Sequence, residues 1–270
     1  MRKSVLLWIL AFLITISSAV YQRITGPTHA IRGSLTIANE TIKYRLERTH
    51  EGTTGQPVAI AVENPEISGR VYYKRFNVTE EFTVIEMVHS DGFLQATLPW
   101  QPPAGKLEYY VELRHGDESQ IIPGKNTVVT RFKGLTPKKY LWPHIILMFA
   151  AMLVATQAGL QALTRTGKLK GLTIATVILM GLGGMILGPV IQYYAFGDAW
   201  TGIPLGWDLT DNKTLIAFLG WLVALVRVYK HPRPRWAVLI AALLTLVIFI
   251  IPHSVMGSEL DYSTGKVTTG

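Results

Sequence analysis

Apolar and polar positions follow two rhythms along this chain. In the first, apolar residues continue almost unbroken over 141–163, 171–194, 214–229 and 236–251. Crossing a ~30 Å hydrocarbon layer takes about 20 apolar residues in a helix. The expected spans are therefore 141–163, 171–194, 210–230 and 236–252, the third opening on Thr210 or Asp211 as N-cap. A shorter run, Val5 to Ile16, comes after Arg2 and Lys3 and ends in Ser17-Ser18-Ala19. Residues 1–21 therefore read as a signal peptide cut after Ala19, or as a signal-anchor helix. Either way, the region beginning at Ile31 is exported.

The second rhythm has period two and fills residues 31–133. Ile42, Tyr44 and Leu46 alternate with Lys43, Arg45 and Glu47. Leu107, Tyr109, Val111 and Leu113 alternate with Glu108, Tyr110, Glu112 and Arg114. Such alternation marks strands with one buried face. Turn residues separate them, among them Asn64-Pro65, Ser90-Asp91-Gly92, Pro102 to Gly105 and Pro123-Gly124. Seven to nine short strands at this spacing predict an antiparallel sandwich. The expected fold is an α+β membrane protein, in which an exported antiparallel β-sandwich precedes a four-helix transmembrane domain. An outer loop, 195–213, and an outer tail, 253–270, complete it.

Within the sandwich region, Gly92-Phe93 through Leu98-Pro99, Pro103-Ala104-Gly105 and Tyr109-Tyr110-Val111 resemble the immunoglobulin-like or fibronectin-III-like modules of bacterial envelope proteins. The resemblance covers about a third of the chain and implies that Tyr109 or Tyr110 fills the tyrosine-corner position. It speaks to fold, not function.

Charge changes the picture in two ways. Only 16% of the 270 residues are charged, against about 25% in a soluble domain. The net charge of +8 also sits beside the apolar runs, as Arg2/Lys3, Arg165/Lys168/Lys170 and Arg227/Lys230/Arg233/Arg235. That distribution fits membrane flanks and argues against nucleic-acid binding. Placing these three clusters on the cytoplasmic side of a bacterial inner membrane puts the sandwich, the 195–213 loop and the tail together outside. Lys138 and Lys139 oppose the rule and are outvoted. The absence of cysteine excludes disulfides, thiolate metal sites, iron–sulfur clusters and covalent c-type haem on this chain.

Candidate chemistry gathers at the outer face. His144 enters the first of the four spans there and His253 leaves the last, so the pair could contact haem, a metal or a quinone. Asp198, Asp208 and Asp211 lie in the outer loop and offer metal ligands. Asp208 and Asp211 bracket a helix start and are well explained by capping and the helix dipole, and the rest by solvation; the lack of a paired-His helix motif lowers the metal case. Trp200, Trp207, Glu259 and Asp261 form a candidate partner surface. Gly181, Gly184 and Gly188 give the second span a small-residue face for helix packing. Gln157, Gln161 and Gln192 are the polar exceptions inside the spans, and the first two are expected to hydrogen-bond between helices. No acid or base lies deep in a span, which disfavours a pump or transporter. No serine has a nucleophile elbow, which disfavours a hydrolase.

Tyr21 to Pro27, the Phe196–Thr214 stretch and Ile251-Pro252-His253-Ser254 through Tyr262 resemble a family of bacterial envelope membrane proteins. That resemblance implies no catalytic residues. The expected function is a non-enzymatic binding or assembly component, with the bilayer and other envelope membrane proteins as partners. The alternatives are a membrane redox subunit using haem, metal or quinol near the outer face, and a transporter component.

Overall fold

The structure, a computed structural model, describes residues 2–231, 234–252, 255 and 257–269. His253 therefore lies outside the described residues, and so does Arg233 of the last basic cluster. The fold is α+β. The chain divides into two compact units, one of Met1–Pro27, Thr136–Ser258 and Thr269–Gly270, the other of Thr28–Leu135 and Glu259–Thr268.

The second unit is a β-structure of eleven strands between Ile31 and Lys133, more than the seven to nine expected. They are β1 (Ile31–Ile37), β2 (Glu40–Leu46), β3 (Thr49–Glu51), β4 (Gln56–Ala61), β5 (Ser68–Arg75), β6 (Thr83–Glu86), β7 (Val88–Ser90), β8 (Phe93–Leu98), β9 (Lys106–His115), β10 (Glu118–Ile122) and β11 (Val128–Lys133). The excess comes from pieces such as β3 and β7, whose three residues are too few to display an alternation. A six-stranded sheet runs β3-β11-β9-β5-β6 with β10 joined to β9, a three-stranded sheet runs β4-β8-β7, and β1 and β2 form a hairpin. Among the described pairings only β11 with β3 is parallel.

One core joins these sheets. In β9 Leu107, Tyr109, Val111 and Leu113 are fully buried, and they cluster with Ile42, Ile60, Val71, Leu94 and Phe132 from the other strands. Burying a side chain of this kind contributes roughly 1.5–3 kcal/mol, so the inward face of β9 anchors the unit. The Tyr109 hydroxyl donates to Glu47 O at 2.8 Å. Burial pushes its pKa up, and the nearby Glu47 charge adds to the effect. A tyrosine corner bonds a few residues upstream of itself, whereas Glu47 lies 62 residues earlier. Tyr109 thus ties β9 to the segment before β3, and Tyr110 faces outward.

The first unit is helical: α1 (Arg2–Thr25), α2 (Lys138–Thr164), α3 (Leu169–Met180), a π-helical stretch (Gly181–Leu187), α4 (Gly188–Phe196), α5 (Leu209–Lys230) and α6 (Arg235–Ile250). Among the described residues, four helical segments, 3–25, 138–164, 169–196 and 209–230, are long and apolar enough to cross a membrane, as in a multi-pass membrane protein. The expected span 236–252 instead folds as α6, whose 16 residues rise about 24 Å and fall short of a ~30 Å core. Helix α1 is part of the packing: Ala11, Thr15 and Ser18 are buried. Between α5 and α6, the buried Trp221 indole donates to Thr245 Oγ1 at 2.7 Å.

The π-helical turn explains the glycine-rich sequence of the second span. A Cβ at Gly183 would lie 2.9 Å from Leu147 Cβ and 3.3 Å from the Met148 backbone nitrogen, and one at Gly184 would lie 2.8 Å from Thr214. Glycine alone lets this turn approach α2 and α5. At Gly181 a Cβ would meet Phe218 at an ordinary 3.4 Å, and at Gly188 it would meet only Gly183 O at 3.9 Å. The close packing thus centres on Gly183 and Gly184, and Gly188 has room for a side chain.

Candidate functional site

The loop 197–208 folds back onto the start of α5, and the sequence Asp208-Leu-Thr-Asp-Asn-Lys213 is what holds it. The N-cap is Asp208, earlier than the expected Thr210 or Asp211. Its Oδ1 accepts from the backbone N–H of Thr210 at 2.8 Å and of Asp211 at 3.2 Å. Its Oδ2 accepts from Ser258 N and Ser258 Oγ, both at 2.9 Å. One carboxylate therefore starts the helix and captures the chain beyond α6. Asp211 Oδ2 accepts from Thr201 N at 2.7 Å and from Gln192 Nε2 at 3.0 Å, which ties the loop to α4. Asn212 Oδ1 accepts from Ile203 N at 2.7 Å. Where the loop crosses α5, a Cβ on Gly202 would lie 2.6 Å from Asp211 Cβ. The helix N-terminus, rich in unpaired N–H groups, favours the two buried carboxylates electrostatically.

The opposite sign is handled nearby. Lys213 is buried, and its ammonium donates to Ile251 O at 2.9 Å and Pro252 O at 3.4 Å. Gln22 of α1 donates to Phe249 O at 2.9 Å and Ile251 O at 3.1 Å. The last carbonyls of a helix have no partner within it, and a cation there is favoured by the helix dipole. Two side chains from distant sequence thus cap α6. Neither contact is legible in the sequence, because a lysine near a helix start and a glutamine near a helix end read as solvated polar groups.

The other expected site residues separate. Asp198 is exposed in the loop, and Asp208 and Asp211 face backbone N–H, amide and hydroxyl donors. Among the described residues no group of three His, Asp or Glu side chains is arranged to hold a metal. His144 sits in α2, where Nδ1 lies 2.9 Å from Gly183 O. A carbonyl only accepts, so Nδ1 carries the proton and Nε2 of the neutral ring remains an acceptor. Trp207 and Leu205 are exposed at 76% and 77%, while the Trp200 indole donates to Ile203 O at 3.1 Å within its own loop. Gln157 is fully buried, and its amide makes no hydrogen bond among the described residues, contrary to the interhelical bond expected of it.

Glu259 and Asp261, expected on a partner surface, are internal ties of the β unit. Glu259 pairs with Lys106 Nζ and accepts from Asn77 Nδ2 at 2.9 Å. Burial lowers the Lys106 pKa, and the hydrogen bond to Glu259 works against that. Asp261 accepts from Ser263 Oγ and N and from Thr264 Oγ1, which hold its carboxyl down at about 2. These bonds shape the turn between β12 (Ser258–Asp261) and β13 (Lys266–Thr269). Tyr262 exchanges hydrogen bonds with both backbone groups of Lys106, its hydroxyl 3.0 Å from N and 2.9 Å from O. Burial pushes its pKa up to about 12.

A surface that sequence reasoning passed over lies on the outward face of β5 and β9. The register sets Arg70 opposite Glu112, Tyr72 opposite Tyr110 and Lys74 opposite Glu108. The two tyrosine rings stack at 4.7 Å with 5° between planes. Phe82 meets Tyr110 edge-on at 5.2 Å, and the Lys74 ammonium lies 5.1 Å from the Phe82 ring centre. Glu112 accepts from Tyr72 Oη, Ser119 Oγ and Arg114 Nη2 at 2.8–2.9 Å. Burial works to raise its pKa, but those three hydrogen bonds outweigh it and leave the carboxyl below the usual range. The exposed Ile121, opposite Glu112 on β10, extends the patch. The period-two pattern places these residues outward, but only the register between β5 and β9, which sets Tyr72 opposite Tyr110, brings the rings together.

No protein-family model matches this chain, and no curated protein matches it.

Proposed function

We propose that this protein is a non-enzymatic component of an envelope membrane complex. Its helices hold it in the bilayer, and its β unit binds a protein partner through the Tyr72–Tyr110 face. The observation that carries this reading is that face itself: stacked aromatic rings half open to solvent, framed by fixed charges of both signs. Aromatic residues and arginine are enriched where proteins meet, and aromatic anchors dominate binding energy. The strand order supports an immunoglobulin-like sandwich, since β11-β9-β5-β6 against β4-β8-β7 matches the G-F-C-C′ and B-E-D order of such domains. The β1–β2 hairpin, β10 and the C-terminal strands are additions to that plan. The basic clusters support an inner-membrane orientation with the β unit outside.

The test uses the full-length protein in its native membrane, with a photo-crosslinking residue at Phe82 or Ile121. A discrete adduct is expected at both positions, and it should disappear when Tyr110→Ser is added. An adduct-free, monomeric protein, or an adduct indifferent to Tyr110→Ser, refutes the binding face.

One observation favours a second reading, a membrane redox subunit. With Nδ1 of His144 held by Gly183 O, Nε2 is oriented much as outer hydrogen bonds orient metal- and haem-ligating imidazoles. Purified protein with no Soret band, no stoichiometric metal and no co-purifying quinone removes it.

A further inference from the structure

We propose that the basic end of the α5–α6 hairpin is a binding site for one anionic phospholipid. An acyl chain would lie in the groove between the helices, with the phosphate on Arg227 and His231. The proposal rests on these helices lying in a bilayer, and not on the partner-binding face.

The groove has a volume of about 870 Å³ and is open along one side, between α5 and α6. Ligand sites commonly enclose about 300–1,000 Å³. Small residues line the recess, Gly220 on α5, where a Cβ would lie 3.2 Å from Leu244, and Ala237 and Ala241 on α6, while Val223 and Ile240 are exposed apolar walls. From Gly220 to His231 the chain rises roughly 16 Å at ~1.5 Å per residue, about half of a ~30 Å hydrocarbon core. The groove is thus one leaflet deep, the length of a single acyl chain. Trp236, 72% exposed, lines its basic end, where tryptophan marks the membrane–water interface.

The charge at that end is unopposed. The chain contains no Asp or Glu between Asp211 and Glu259, and none between Glu118 and Asp198. Among the described residues, no carboxylate pairs with Arg227, Lys230, His231 or Arg235. Arg227 Nη1 lies 3.0 Å from His231 Nε2. A guanidinium only donates, so Nε2 accepts and the imidazole proton sits on Nδ1. The remaining Arg227 N–H groups and the His231 Nδ1–H are left for an anion. A guanidinium matches phosphate in geometry as well as charge. Basic pockets between helices at the membrane surface are the general setting for anionic headgroups. A zwitterionic lipid would fill the groove but bring its own cation to the arginine.

The test is native mass spectrometry of the full-length protein in mild detergent with equal parts phosphatidylglycerol and phosphatidylcholine. The wild type is expected to retain phosphatidylglycerol about tenfold over phosphatidylcholine, the scale of one charge-assisted contact. Arg227→Gln, an exposed substitution, should abolish the preference, whereas Lys230→Gln, outside the groove, should leave it within about twofold. Val223→Trp fills the groove and should reduce adducts of both lipids, with circular dichroism and gel filtration confirming the fold. Excess glycerol phosphate, a headgroup without chains, should displace nothing. The proposal is overturned by equal retention of the two lipids in the wild type. Equal loss in Arg227→Gln and Lys230→Gln overturns it too, since that means diffuse attraction. So does displacement by glycerol phosphate, which means a free-phosphate site.

Discussion

Asp208 carries more of the helical unit than its position in a loop suggests, and Asp208→Asn tests this directly. The carboxylate receives four hydrogen bonds, from Thr210 N, Asp211 N, Ser258 N and Ser258 Oγ. Asparagine is as good an N-cap as aspartate, so the Oδ1 side survives. On the other side an amide N–H2 meets the Ser258 N–H, donor against donor. The substitution loses a charge-assisted bond and strands a buried N–H, about 3 kcal/mol in all. Asp208→Ala removes the cap as well, adding about 1 kcal/mol. In a unit of this size each kcal/mol moves the melting temperature by about 2–4 °C, so Asp208→Asn should lower it by roughly 6–12 °C. Thermal unfolding of the purified protein in detergent, followed by tryptophan fluorescence, reads this out. Ser258→Ala in the Asp208→Asn background should cost less than in the wild type, since the bond it removes is already weakened. A shift below about 2 °C for Asp208→Asn, or additive effects of the pair, would refute the account. A wild-type melting temperature lowered by EDTA would instead restore the metal reading of Asp208 and Asp211.

Two other parts of the molecule give further expected outcomes. Gly183→Ala and Gly184→Ala should each lower the yield of folded protein in membranes, because the new methyl meets α2 or α5 at 2.8–2.9 Å. Gly188→Ala should be tolerated or stabilising by about 0.5–1 kcal/mol, having helical backbone and open space, and thermal unfolding separates the three. The β12–β13 turn should depend on pH through Asp261. Its folded pKa, about 2, lies below the ordinary value of about 3.9. Its contribution is therefore complete above that value and lost as pH falls toward 2. Hydrogen exchange over 258–269 should rise in that window, and Asp261→Asn should exchange faster at neutral pH with no such acid transition.

The local parts of this structure are legible in the sequence because they depend on neighbours along the chain. Period two in Leu107, Tyr109, Val111 and Leu113 carries the strand Lys106–His115 and its buried face. The apolar runs carry the long helices, and a capping residue before such a run is a helix start, displaced here only from Thr210 or Asp211 to Asp208. Length limits this kind of reading. The three-residue strands β3 and β7 contain no period, and the run read as 236–252 stops as a helix at Ile250, before Pro252.

Everything that makes a site depends instead on which elements meet. Hydrophobicity places Tyr72 and Tyr110 outward but leaves open that one lies opposite the other. It marks Gly181–Gly188 as special without choosing Gly183 and Gly184, whose neighbours come from α2 and α5. Lys213 and Gln22 read as polar residues near apolar ends, and only the packed helices show them capping the carbonyls at the end of α6. A periodicity records which side of an element is buried. The partner against which it is buried is set by packing over distances of up to 229 residues in sequence, and no local pattern encodes that.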